Sequence, residues 1–201
     1  MLDLTPKTHV NRSGVLINPC KTCQPVGALF AALGVRNCMP YSHGSQGCAS
    51  YHRTYLTRHF KEPAIAVTSS FTEGACVFGG GPNIRQGAKN VFDVYDPDVI
   101  AVHTTCLSET IGDDLNTYIE EMDIPDGKLV VHCNTPSYVG SHVTGFANMM
   151  AGFIKYLATK GTATETVGVF PGFVNPGDIR EYKHMLKRMK IRNIMFPDCS
   201  N

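Results

Sequence analysis

Cysteine is the residue type in this chain whose placement points most directly to chemistry. Three cysteines stand beside glycine or proline near junctions between predicted elements: Cys23 in CQPVGALFAALG, Cys48 in HGSQGC and Cys106 in HTTC. A hydroxyl group, that of Ser137 in NTPSYVGSHVTG, stands at a similar junction. Because thiolates bind zinc, hold iron–sulfur clusters and form redox dithiols, these residues could serve metal binding or thiol chemistry.

The spacing of the cysteines separates these possibilities only in part. Cys20 and Cys23 form a Cys-x-x-Cys pair, which a thioredoxin-like dithiol would place directly after a strand, and GVLINPCKTC permits that arrangement. A tetrahedral zinc site fits less well because the sequence has no second close cysteine pair. Since free cysteines are often simply buried, spacing leaves both a metal site and plain buried thiols open.

Alternating strand and helix patterns would position these residues. Unbroken apolar runs predict buried strands, and helical segments stand between them. The alternation predicts an α/β fold built on a Rossmann-like parallel sheet. The predicted strands cover residues 64–67, 99–102, 128–132, 166–170 and 192–196.

In a parallel sheet, the strand ends and the helix starts that follow them share one edge, where binding crevices form. We expect Cys23, Cys48, Cys106 and Ser137 there. Helix N-termini carry free N–H groups and should lower thiol pKa values and favour an anionic, thiolate-bound cluster. Glycines at 44, 47 and 140 would let the backbone approach bulky sulfur atoms.

Composition excludes several classes of protein. The formal charge is +1, from 18 basic and 17 acidic residues, so there is no electrostatic argument for a nucleic acid or a membrane partner. The longest apolar stretch, Val26–Val35, is too short to cross a bilayer, and the first residues lack a signal core. We therefore predict a cytoplasmic protein, where reducing conditions disfavour disulfides between its eight cysteines.

A polar break at residues 160–165, KGTATE, predicts a domain boundary. Residues 1–162 would form a first α/β domain that carries the candidate ligands, and residues 163–201 would begin a second Rossmann-like domain. A second domain of roughly 35 residues cannot bury its own core. The sequence is therefore interpreted as a fragment, or as a protein that depends on missing material.

Long strings in the chain closely resemble the β subunit of nitrogenase component 1. The match is ordered, nearly gap-free over residues 19–152, and continues through GVFPGFVNPGDIREYKHMLKRM. Within the family, SYHRTYLTRHFKEPA and TSSFTEGACVFGGG look most like the iron-only enzyme, with the vanadium enzyme next and the molybdenum enzyme third. The strings that carry the resemblance are CQPVGALFAALG, PYSHGSQGCASYHRTYLTRHFKEP, TEGACVFGGGPNI, DVIAVHTTCLSETIGDDL and TPSYVGSHVTGF.

The resemblance implies that this chain supplies half of the ligands of the P-cluster, an [8Fe–7S] centre shared with the α subunit. Cys23, Cys48 and Cys106 match its first, second and third cysteine ligands. Ser137 matches a serine that can bind one iron atom when the cluster is oxidised. The serine oxygen is a hard donor that would suit ferric iron.

Two aromatic residues match further positions of the family. Phe78, in VFGGG, matches an aromatic residue at the surface where the iron protein docks. Tyr51 matches a position near the cluster without a defined role.

The resemblance also implies the reaction and the assembly. The enzyme would reduce dinitrogen to ammonia with ATP hydrolysis and hydrogen evolution, passing electrons from the iron protein through the P-cluster to a cofactor. Reduced ferredoxin or flavodoxin would be the donor. That iron cofactor, FeFe or FeV, belongs to the α subunit, so no substrate-binding residue is assigned here. The expected partners are the α subunit, a second αβ pair, the ATP-binding iron protein and a small δ subunit.

Two other functions of the same superfamily compete with this one. A cofactor-assembly scaffold would hold a cofactor precursor without catalysis, but would not need the oxygen ligand Ser137. A protochlorophyllide-reductase-like enzyme fits the long strings less well.

The remaining candidate residues are given structural roles. His43 and His142 could hydrogen-bond near the cluster or serve in packing and capping, and Gly112–Asp114 is interpreted as capping, solvation or a subunit contact rather than a metal site. Cys20 matches no family ligand. The cysteines expected to be structural are Cys38, Cys76, Cys133 and Cys199.

Overall fold

The computed structural model describes residues 21–162 and 164–200, and Cys20 therefore lies outside the described residues. Helices and strands alternate along most of the chain. In order, the elements are α1 (Gln24–Leu33), β1 (Cys38–His43), α2 (Gln46–Phe60), β2 (Val67–Thr68), α3 (Glu73–Phe78), α4 (Gly81–Tyr95), β3 (Val99–Thr104), α5 (Cys106–Ile111), α6 (Leu115–Glu120), β4 (Leu129–Cys133), α7 (His142–Leu157), β5 (Val167–Val169), α8 (Pro176–Arg188) and β6 (Asn193–Met195).

The main sheet has four parallel strands in the order β2-β1-β3-β4. Strand β3 lies inside the sheet with all six residues buried, as its unbroken apolar sequence predicts. A second, two-stranded parallel sheet pairs β5 with β6. The predicted α/β fold with a parallel sheet is confirmed.

Strand β1, CMPYSH, was missed by the sequence pattern because it contains polar residues and a proline. Its two polar side chains, Ser42 and His43, are buried, and each has a hydrogen-bonding partner that removes the cost of burial. The strand predicted at residues 64–67 is also wrong in extent, because strand pairing begins only at Val67.

The two faces of the sheet have separate cores. Alternate residues of β3 point to opposite faces, as the period of a strand requires. Val99 and Ala101 pack in the cluster that includes residues of α1 and α7, whereas Ile100 and Val102 pack in the cluster that includes residues of α4.

Helices α1 and α7 pack in direct backbone contact, which fixes the start of α1 relative to the loop before α7. A Cβ atom on Gly27 would lie 1.8 Å from the carbonyl oxygen of His142, and one on Gly145 would lie 1.9 Å from that of Gln24. Only glycine permits this approach.

The division into a first domain at residues 1–162 and a second at 163–201 stays a prediction. Among the described helices, none is long and apolar enough to cross a membrane.

Candidate metal centre

The three cysteines and the serine lie at one edge of the main sheet. Cys23 occupies the N-cap of α1, Cys48 the first turn of α2, and Cys106 the first position of α5. Ser137 lies in the loop between β4 and α7. Since β1, β3 and β4 are parallel, their carboxyl ends bring these segments to the same edge.

Electrostatic contacts show that the four side chains are neighbours. The Ser137 hydroxyl is close enough to the Cys23 thiol to lower its pKa through a hydrogen bond. The Cys48 thiol hydrogen-bonds that of Cys106 and senses the charges of both Cys106 and Cys23. The structure therefore brings together all four residues, although their role as metal ligands stays a prediction.

The predicted lowering of thiol pKa values by helix N-termini is wrong for two of the cysteines. Burial raises the pKa of Cys23 and, together with the charges of Cys106 and Cys23, raises that of Cys48 to about 11. Desolvation and repulsion between thiolates therefore outweigh the helix ends. A metal ion reverses this balance because a coordinating thiol loses its proton outright.

Thiols from three separate segments are the donor type that iron–sulfur clusters use. Among residues 21–162 and 164–200, no group of three or more His, Cys, Asp or Glu side chains could hold a metal ion. A cluster binds its thiolates through different iron atoms, so they need not converge on one point. Cys106 is exposed and Cys48 is half-buried, which leaves the thiols open to a second chain.

Gln24, which sequence reasoning missed, clamps the loop that carries Ser137. Its buried side-chain amide donates a hydrogen bond of 2.8 Å to the carbonyl of Pro136 and another to that of Val139. Its side-chain oxygen accepts a bond of 3.2 Å from Asn148 of α7. The residue after Cys23 thus fixes the position of the serine loop.

The glycines near the cysteines meet hydroxyl groups rather than sulfur, which corrects the prediction. Gly44 has a positive φ of 151°, and a Cβ atom there would lie 1.9 Å from the Thr105 hydroxyl oxygen. Gly140, with a φ of 90°, would place a Cβ atom 2.8 Å from the Thr144 hydroxyl oxygen. At Gly47, the one neighbouring atom within 4 Å is the Ser45 hydroxyl oxygen.

A buried hydrogen bond between His43 and Asp113 supports the turn before Cys48. Nε2 of His43 lies 2.9 Å from Asp113, which also accepts hydrogen bonds from the Gly80 amide and the Tyr118 hydroxyl. Burial would raise the pKa of Asp113, but these bonds outweigh it and hold that pKa below its ordinary value. The expected capping role within Gly112–Asp114 is confirmed for Asp114, which caps α6.

A second buried histidine lies against one of the candidate ligands. Nε2 of His52, on α2, is 3.3 Å from the Cys23 sulfur. His52 is 2% exposed. Its position four residues after Cys48 on one helix face is a signal in the sequence, but the partner Cys23 could not be inferred from it.

The two aromatic candidates lie outside the core. Phe78 ends α3 and is 88% exposed beside Val77, which is 73% exposed. Tyr51 is 54% exposed on α2, next to His52. Their predicted roles in docking and near the cluster stay predictions.

The other cysteines differ in their surroundings. Cys133 is buried in the core, and burial raises the pKa of Cys38 and of Cys199 to about 12 each, as expected for structural thiols. Cys76 is exposed on α3, unlike these three, and its structural role stays a prediction. Nδ1 of His142 accepts a bond of 3.3 Å from the Thr22 amide, so this histidine ties the segment before Cys23 to α7.

Comparison with known proteins gives consistent matches. A family profile described as nitrogenase component 1 type oxidoreductase matches residues 23–200. The chain is 64% identical over 205 residues to a nitrogenase molybdenum-iron protein beta chain from Clostridium pasteurianum, covering 100% of this chain and 45% of that protein. It is 46% identical to the protein of that name from Azotobacter vinelandii, covering 94% of this chain and 38% of the relative.

Solved structures agree with this result. A chain of the structure titled "Nitrogenase Cp1 at pH 6.5" superposes with a TM-score of 0.89 at 64% identity, covering 100% of this chain and 45% of that one. A chain of "Nitrogenase Cp1 at pH 5" shares the fold, with a TM-score of 0.68 at 20% identity, over 90% of this chain and 40% of that one. The chain thus spans less than half the length of these relatives.

Proposed function

This chain belongs to the nitrogenase component 1 type oxidoreductases, and on that premise we propose that it is part of a nitrogenase β subunit. The complete protein would reduce dinitrogen to ammonia with ATP hydrolysis and hydrogen evolution, acting only within a larger complex. The names of the relatives from Clostridium pasteurianum and Azotobacter vinelandii support this proposal.

One observation carries the proposal: the thiols of Cys23, Cys48 and Cys106, from the starts of three different helices, lie at the same edge of the sheet. Cys48 interacts electrostatically with both Cys106 and Cys23 at the edge of the sheet, and Ser137 hydrogen-bonds Cys23. We assign these four residues as the β-subunit ligands of an [8Fe–7S] P-cluster. When bound, such a cluster supplies electron transfer.

The residues of this chain would prepare the site in three ways. The backbone N–H groups at the starts of α1 and α2 offset part of the desolvation that raises the pKa values of Cys23 and Cys48. Gln24 holds the loop of Ser137 beside Cys23, so that an oxygen donor is ready next to a sulfur donor. Because Cys106 is exposed, a second chain can add its own ligands to the site, and we assign that chain as the α subunit.

The prediction that this chain is most like the iron-only enzyme, and next the vanadium enzyme, has no support from the relatives. The curated relatives described above are molybdenum-iron protein beta chains at 64% and 46% identity. We therefore propose the molybdenum type, with the substrate-reducing cofactor in the α subunit, and leave the FeFe and FeV cofactors and the δ subunit out of the proposal.

The assembly follows from the same proposal. Two αβ pairs would form a heterotetramer in the cytoplasm, and the exposed Phe78 would lie at the docking surface for the iron protein. The exposure of Phe78 and its neighbour Val77 supports such a contact because large exposed apolar side chains side by side are typical of interaction surfaces.

The test compares cysteine variants in the full-length protein produced anaerobically with its α partner. We expect Cys48→Ala and Cys106→Ala to lose cluster iron and the EPR signal of the oxidised cluster, together with substrate reduction. The control Cys76→Ala removes an exposed cysteine outside the site and should leave all three at the wild-type level.

Unchanged iron content and dinitrogen reduction in Cys48→Ala would overturn the proposal. Iron binding without reduction of any substrate in the wild-type complex would favour the assembly scaffold. Reduction of protochlorophyllide in place of dinitrogen would favour the third candidate.

A further inference from the structure

We propose that His52 is a positioning residue that donates an N–H···S hydrogen bond to the Cys23 thiolate and thereby raises the reduction potential of the bound cluster. This inference rests on the proposed function, since it requires Cys23 to be a ligand. His52 itself touches no iron in this proposal and acts through the sulfur atom.

The geometry places one imidazole nitrogen on the sulfur. Nε2 of His52 lies 3.3 Å from Sγ of Cys23, and the ring is 2% exposed. The partner residues come from α2 and from the N-cap of α1, so the bond joins the helix of Cys48 to the segment of Cys23. Two ligand segments are thus held together by one side chain.

The direction of the hydrogen bond follows from the chemistry of the partners. A histidine ring carries at least one N–H group in either protonation state. A metal-bound thiolate has no proton and can only accept. Nδ1 of His52 is buried without a partner in the described part of the chain, which leaves the Cys23 sulfur as the partner for the ring's N–H group.

The rings of two other residues lie near the His52 ring. Its ring neighbours are His103, at a centroid distance of 6.4 Å, and Tyr51, at 6.0 Å. His103 is itself buried and bonded to Ser42, 2.8 Å away. The N–H of His52 is therefore a donor to the Cys23 sulfur in addition to the Ser137 hydroxyl.

Such a bond alters the redox balance of the cluster. Hydrogen bonds to cluster sulfur atoms are among the factors that set the potential. The reduced state places more negative charge on the thiolates, so a donor stabilises that state more than the oxidised one. Loss of the donor should therefore lower the reduction potential.

The experiment measures that potential in the full-length complex by EPR-monitored redox titration. His52→Phe retains an aromatic ring without the N–H group, and His52→Gln supplies an amide donor. The matched control is His59→Phe, the same change on the same helix. The ring of His59 lies against those of Phe30, Phe60 and Phe173. We expect a lower potential in His52→Phe, recovery toward wild type in His52→Gln and no shift in the control.

The outcomes separate this inference from the proposed function. Equal potentials in wild type and His52→Phe would overturn the role of His52 while the cluster itself remained. A wild-type complex without an iron–sulfur cluster would overturn both. If His52→Phe fails to assemble, pulsed EPR of wild-type protein with ¹⁵N-histidine decides: a coupling to one imidazole nitrogen is expected, and its absence would contradict the bond.

Discussion

Gln24 and Pro136 are joined by a hydrogen bond of 2.8 Å from the side-chain amide to the backbone carbonyl, across 112 positions of sequence. The bond ties the residue after one candidate ligand to the residue before another. Cys23 and Ser137 therefore cannot move apart without breaking it. The short string CQP thus carries both a sulfur donor and the clamp for an oxygen donor.

Replacing Gln24 with leucine should loosen the loop of Ser137. The carbonyls of Pro136 and Val139 would lose their donor, and a buried acceptor without a partner costs about 1–3 kcal/mol. We expect faster hydrogen–deuterium exchange in residues 134–141 of the Gln24→Leu complex. Gln46→Leu, at an exposed glutamine of α2, is the control and should not change the exchange there. Equal protection in both variants would show that the clamp is unimportant.

The buried pair of His43 and Asp113 should make the stability of the folded chain fall at low pH. The pKa of Asp113 is lowered in the folded chain, so its contribution is complete above the unfolded pKa of about 3.9 and is lost as the pH falls through the lower, folded value. Asp113→Asn should cost about 1–3 kcal/mol at pH 7 because it removes charge from several hydrogen bonds. It should also remove part of the acid sensitivity.

The measurement for this pair is the apparent unfolding temperature of the complex between pH 3 and pH 7. Asp126→Asn, in an exposed turn, is the control. The difference between wild type and Asp113→Asn should shrink as the pH falls below about 4. A difference that stays constant over this range would contradict the assignment.

The sequence predicts the positions of the candidate ligands well because a thiol beside glycine or proline at an element boundary is a local pattern. Cys23, Cys48 and Cys106 all lie at helix starts, as that pattern predicts. The supporting residues could not be found in this way. Gln24 and His52 act on partners 112 and 29 positions away, and only the fold brings these together.

Two other features could not be predicted from the sequence, each for a physical reason. Strand β1 contains Ser42 and His43, whose burial depends on partners in other elements, so the local pattern predicts no buried strand. The ranking of the metal types also has no support from the relatives. In the proposed assembly, the substrate-reducing cofactor lies in the α subunit, so sequence around the ligands of this chain does not report on its metal.

Cys48 should react slowly with alkylating agents when no metal is bound. Burial and the neighbouring thiols raise its pKa to about 11, so about one molecule in a thousand carries the thiolate at pH 8. Cys106→Ala removes one cause of this shift and should speed the modification of Cys48. Mass spectrometry of iodoacetamide-treated, cluster-free protein measures both rates.

The control for that experiment is Cys76→Ala, which removes an exposed thiol outside the site. It should leave the rate at Cys48 unchanged. If Cys106→Ala were equally without effect, the two thiols would not be neighbours in solution, and the shared site would lose its main support.

The close packing of α1 against α7 should tolerate substitution less than any other feature of the site. In Gly145→Ala, the new methyl group would lie 1.9 Å from the carbonyl oxygen of Gln24, so the helices must separate and shift Cys23 away from Ser137. Overpacking of this kind costs about 1–3 kcal/mol or more. Gly177→Ala is the matched control on α8, where no atom of the described residues lies within 4 Å of the new group, and it should stabilise by about 0.4–1 kcal/mol. Thermal unfolding and iron content together measure the effect. Wild-type values of both in Gly145→Ala would mean that the backbone contact does not position the ligands.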